Sequence, residues 1–192
     1  HLGVALALLA TLLTATVATF FLGASSQQWA TTGVFPALAL LAALGSFALI
    51  LTGSYVTGAG AGLAFSDWPL FNGSLLPEGG RLANIHFLHR MAAALVGLLV
   101  LALAIQAWRL KGSSSPLAIV ATLIPVLYMA QVLVGAANVW SRLEPALAAA
   151  HLGIAAAIWA ALVVLTAAAY QGAIAAYRVP QPTPVRELVK ES

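Results

Sequence analysis

Five long apolar runs, at residues 4–22, 34–56, 83–107, 117–140 and 146–177, leave this chain few folds to choose from. Each is near or above the roughly 20 residues that an α-helix needs to cross about 30 Å of hydrocarbon. The first, second and fourth carry no charge. The third has only His86, His89 and Arg90 as ionisable groups, and the fifth only His151. Alternation of period two is absent, so transmembrane β-strands are not expected. The expected fold class is all-α and integral to the membrane, with five transmembrane helices.

Composition supports that solvent. Charged residues make up 7% of the chain and hydrophobic ones 62%, against about 25% charged in a soluble domain. Too few solvated groups exist to cover a globular surface, so membrane lipid is an expected partner. Eight basic residues and a net charge of +3, with no cluster, form no phosphate-binding stripe, and no nucleic acid is expected. Cysteine is absent, which excludes disulfides, thiolate catalysis and Cys-ligated metals. The opening "HLGVALALLA" has neither Met nor a basic n-region, so it is read as the cut or processed end of a longer protein rather than a secretory signal.

Proline and polar residues punctuate the runs. "GASSQQWATTG" separates the first two, with Pro36 opening the second. "RLKGSSSP" and "SRLEP" precede the last two, with Pro116 and Pro145 at their first turns, and Pro125 predicts a kink within the fourth. The segment 172–192 is read as a polar, Pro-rich cytoplasmic tail; it stops amid charges, so a further downstream domain stays open. Arg109, Lys111, Arg178, Arg186 and Lys190 fall on one side of the membrane if the helices alternate, and Arg81 and Arg142 on the other. That imbalance favours the tail side as cytoplasmic. The loop from 57 to 82, with its "GLAFSDWPLFNG", then lies on the outer face.

Histidines inside apolar spans are rare and usually functional. His89 and His151 each stand roughly 8–10 Å along their helices from the same face, at 1.5 Å per residue. Their helices run in the same direction, so two imidazoles at matching depth can meet across a bundle core, as two axial ligands of one haem iron require. The bland alternative makes each His an interhelical hydrogen-bond donor. "HRMAAA" and "AAAHLGIAAA" put small residues beside both rings, leaving room for a flat macrocycle. His86, about 60° around the helix from His89, is an alternative ligand, a supporting donor, a propionate contact or simply a polar residue near the loop. Arg90 either snorkels outward or holds a haem propionate. Arg81 is a rival for that role, and Arg142 reads better as loop charge. His1 opens a helix whose "HLGVALALLA" echoes "HLGIAAAIWA" around His151, a sign of an internal repeat.

The succession "GSYVTGAGAGLAFSDWPLFNG", "HFLHR", "AHLGIA" resembles the C-terminal half of heme A synthase, a membrane enzyme of cytochrome oxidase biogenesis. The resemblance implies two similar four-helix halves. Residues 1–22 would be the last helix of the N-terminal half, missing here as a partner, and 34–171 the C-terminal, haem-binding half. It implies an oxidoreductase that converts a methyl group of heme O to the formyl of heme A, as substrate and product in the missing half. His89 and His151 would be the axial ligands of a b-type haem, and His1 a ligand in the other half. The catalytic carboxylate of that half has no counterpart here; His86 stands at the equivalent offset. Heme O synthase and oxidase-assembly components are implied as partners, and a bacterial plasma membrane as the location.

Many members carry a Cys pair where this chain has Phe65 and Phe71, so the loop is read as a lid without redox chemistry. Pro69 and the glycines shape its turn, and Asp67 and Asn72 close local hydrogen bonds. Phe65, Trp68 and Phe71 are read as lying over the haem edge or at the membrane interface. Two other functions stay open: a non-enzymatic bis-His membrane cytochrome, and a haem-free transporter or assembly scaffold.

Overall fold

A computed structural model describes residues 1–21, 33–111 and 116–178. Most of "GASSQQWATTG", the Gly112–Ser115 connection and the tail with Arg186 and Lys190 lie outside the described residues. The described chain folds into α1 (Leu2–Phe21), α2 (Phe35–Gly58), α3 (Arg81–Lys111), α4 (Pro116–Trp140) and α5 (Pro145–Arg178). All five are long and apolar enough to cross a membrane. Prolines open three of them, as their fixed φ and missing N–H dictate. Helix α4 runs through Pro125 without interruption.

The third helix is longer than its apolar run. It takes in Arg81 at one end and Arg109 at the other, because long cationic side chains reach water from within a helix end. Glu144 starts α5 by accepting the Leu147 N–H at 2.9 Å, which satisfies an otherwise orphan donor.

Helices α2 to α5 form a ring. Both α2 and α4 pack against both α3 and α5, while α1 docks outside the ring on α5. Gly53 meets His89 whereas Gly45 meets Val96, so α2 and α3 are antiparallel. Helices α4 and α5 are antiparallel too, since Gln131 bonds His151 while Asn138 bonds Leu147. Helices α3 and α4 are antiparallel as well, since Trp108 bonds Thr122 while Tyr128 bonds Ala93. Helices α3 and α5 therefore occupy opposite corners and run the same way.

One half of this ring is packed solid. Phe35, Ala39, Val100, Leu103, Ala121, Leu162 and Leu165 are almost completely enclosed there. Towards the loop end the packing stops. No residue is fully buried at 51–55 of α2, 87–95 of α3, 129–135 of α4 or 145–157 of α5. Nine helical residues span two and a half turns, so each longer stretch includes side chains that point inward. An open interior faces all four helices at that level. Tyr128, 8% exposed, marks its floor: its hydroxyl donates to Ala93 O at 2.7 Å, and its ring lies against Gly97.

Candidate functional site

His89 stands eight residues into α3, about 12 Å from its start. Its ring rests on the backbone of α2, where a Cβ on Gly53 would lie 3.1 Å from His89 Cε1. Nδ1 is 3.1 Å from Thr52 Oγ1. That hydroxyl has one proton and gives it to Leu49 O at 2.9 Å. Thr52 can therefore only accept, and His89 Nδ1–H donates. The tautomer follows: Nε2 carries a lone pair. Among the described residues that lone pair has no partner.

His151 repeats the arrangement one helix pair later. It stands six residues into α5, about 9 Å from its start. A Cβ on Gly135 of α4 would lie 3.0 Å from His151 Cε1. Gly53 and Gly135 each precede the end of their helix by five residues. Gln131, one turn before Gly135, donates from Nε2 to His151 O at 2.8 Å. Here the resemblance ends. Buried His151 Nδ1 faces the Gln131 backbone without a well-aligned hydrogen bond, and buried Gln131 Oε1 has no partner among the described residues.

The two imidazoles come from helices at opposite corners of the ring. Among the described residues no three His, Asp or Glu side chains gather as a metal centre. Two imidazoles alone make a poor metal site, but they complete a macrocycle that brings its own four nitrogens. The unfilled interior, the glycine seats and the unpartnered ring nitrogens fit such a group.

His86 and Arg90 serve a different purpose. His86 is 6% exposed. Its Nδ1 lies 3.0 Å from Ala61 O, and Arg90 Nε donates to its Nε2 at 3.2 Å. Both ring nitrogens are thus engaged, and neither is open to a metal. Arg90 reaches the outer loop with its remaining nitrogens, donating to Leu70 O at 2.9 Å and Asp67 O at 3.0 Å. Its guanidinium lies 5.0 Å from the Phe65 ring centre and 5.1 Å from that of Phe71. Of the two roles read for Arg90, snorkelling or holding a propionate, its geometry shows neither; it clasps the loop. Arg81, the rival, donates to Tyr55 Oη at 3.1 Å. His1 is exposed at the start of α1, outside the ring.

The loop is built as its residue types suggest. Asp67 accepts the Asn72 and Gly73 N–H groups, both at 2.7 Å, and Asn72 Oδ1 accepts Ser66 N–H at 2.9 Å. Asn72 and Gly73 both have positive φ, 57° and 84°. The aromatic residues differ from expectation. Phe65 and Phe71 do not spread over an opening. They pack edge to face, 4.9 Å between centres, in a small core with Ala83 and Phe87. Burying two rings together removes more apolar surface from water than laying either across a cleft. Trp68 alone reaches sideways, meeting Trp140 of α4 edge to face at 6.3 Å.

Sequence reasoning missed Thr52, Gly53, Gln131 and Gly135. A usable signal existed: Gly53 and Gly135 each stand five residues before the end of a helix whose successor carries an imidazole near its start.

A family described as cytochrome oxidase assembly protein matches residues 1–163. A heme A synthase of Rhizorhabdus wittichii is 36% identical over 131 residues, covering 62% of this chain and 36% of that protein. One of Rhodospirillum centenum is 36% identical over 129 residues, covering 61% and 34%. A protoheme IX farnesyltransferase of Halobacterium salinarum is 36% identical over 102 residues, covering 53% of this chain and 22% of that protein. The chain spans about a third of the length of the heme A synthases it matches.

Proposed function

The chain belongs to the cytochrome oxidase assembly protein family, and from that premise we propose that it is the haem-holding half of a heme A synthase. His89 and His151 would hold one b-type haem through their ring nitrogens. The observation that carries this reading is the repeated seat: each imidazole is backed by a glycine five residues before the end of the preceding helix, beside an unfilled interior. A haem held by these two imidazoles would supply one-electron transfer.

The chain's own residues provide binding and enclosure. Thr52 keeps the lone pair of His89 on Nε2. Gly53 and Gly135 leave the space that the rings need. Arg90 and His86 hold the outer loop against α3. The oxidation of heme O to heme A belongs to the whole enzyme, with the second half as the partner that carries the substrate. A segment similar to this chain in a protein named protoheme IX farnesyltransferase supports a functional link to the step that makes farnesylated haem. The excess of Lys and Arg at the α3–α4 connection and the tail supports a cytoplasmic tail, and the bacterial heme A synthases that this chain resembles support a bacterial plasma membrane.

The test is an absorbance spectrum of the purified protein. A low-spin, bis-imidazole haem spectrum is expected; its absence from protein expressed with ample haem would end the proposal.

A further inference from the structure

We infer that Thr52 is a positioning residue that makes His89 the stronger donor of the two imidazoles and thereby lowers the reduction potential of the haem between them. The inference rests on the haem reading above. Its basis is an asymmetry within the repeat: the glycine seats match, but the partners of the Nδ1 atoms do not. His89 Nδ1–H donates to a hydroxyl whose own proton is committed to Leu49 O. His151 Nδ1 has no hydroxyl partner; it faces the Gln131 backbone without a well-aligned hydrogen bond. A hydrogen bond at the far nitrogen fixes the ring and raises ligand basicity. A more basic ligand stabilises ferric over ferrous iron. Thr52 touches neither iron nor substrate; it acts through His89.

Thr52→Val keeps the shape of the side chain and removes the acceptor. Thr57 provides a matched control on the same helix: its hydroxyl bonds only Gly53 O, at 3.3 Å. Midpoint potentials are measured by spectroelectrochemical titration of the purified protein, with haem retention scored in parallel. Thr52→Val is expected to raise the potential. Loss of such an outer partner typically weakens metal binding about 10- to 100-fold, and a tenfold loss confined to the ferric state corresponds to about 59 mV for one electron. Thr52→Ser is expected to restore the original value, and Thr57→Val to leave it unchanged. Haem lost in Thr52→Val and regained in Thr52→Ser also supports the inference. An unchanged potential in Thr52→Val, an equal shift in Thr57→Val, or failure of Thr52→Ser to rescue would overturn it. Each of those results leaves the wild-type low-spin spectrum standing, whereas absence of that spectrum removes the haem reading itself.

Discussion

His151 lies so close to Gly135 that a Cβ there would stand 3.0 Å from its Cε1. Such a contact is tighter than ordinary packing, and its backbone side cannot move without shifting α4. Gly53 stands in the same relation to His89. The rings are thus placed by helices that precede their own.

Alanine at either glycine separates sterics from stability. In a helix, Gly→Ala ordinarily stabilises by about 0.5–1 kcal/mol. Gly53→Ala and Gly135→Ala are expected to push the imidazole away and lower haem content at least tenfold, with little loss of thermal stability in haem-free protein. Normal haem content in both variants would mean that the seats do not matter.

The ligands should differ sharply from their neighbour. His89→Ala and His151→Ala are each expected to abolish the low-spin spectrum. His86→Ala should keep it, because both nitrogens of His86 are spent on Ala61 O and Arg90 Nε. It should instead cost about 1–3 kcal/mol, the usual penalty for orphaned buried polar groups. Spectra and thermal melts of the three variants check this; a His86→Ala protein without the low-spin signal would refute the assignment.

Arg90 should govern the order of the loop. It donates three hydrogen bonds and faces two aromatic rings. Arg90→Ala is expected to increase proteolytic cutting between residues 61 and 80 by at least tenfold. Arg90→Lys should rescue little, since a single ammonium cannot reproduce the planar fork. Limited proteolysis in detergent reads the difference.

Among the loop aromatics, burial ranks the costs. Phe65 is 1% exposed at the centre of its small core. Phe65→Ala should lose about 3–5 kcal/mol of local stability. Trp68, only half-buried, should lose clearly less. Hydrogen exchange of the loop amides measures both; equal protection in the two variants would contradict the ranking.

Much of the architecture could be read from the chain because one physical requirement dominates it. A backbone crossing hydrocarbon must satisfy its own hydrogen bonds, so each long apolar run becomes a helix, and prolines announce where three of them begin. The depth of His151 was legible for the same reason, since rise per residue converts position into height. His89 lies deeper than expected, about 12 Å in, because α3 begins earlier, at Arg81. The role of Arg90 was not. Its partners are the carbonyls of Leu70 and Asp67, 20 and 23 residues away, and no residue-type pattern encodes a backbone acceptor. Phe65 and Phe71 were visible as a pair, yet their inward turn depends on Ala83 and Phe87 of α3.

The order of residues alone determined five spans and roughly how far along its helix each histidine stands, since both follow from local helix geometry in an apolar solvent. Folding in three dimensions determined which faces meet. Only the packing of α2 on α3 and α4 on α5 puts Gly53 behind His89 and Gly135 behind His151, and gives one ring a hydroxyl partner while leaving the other without. Those contacts join atoms far apart along the chain, and their energies depend on distances that a one-dimensional pattern does not contain.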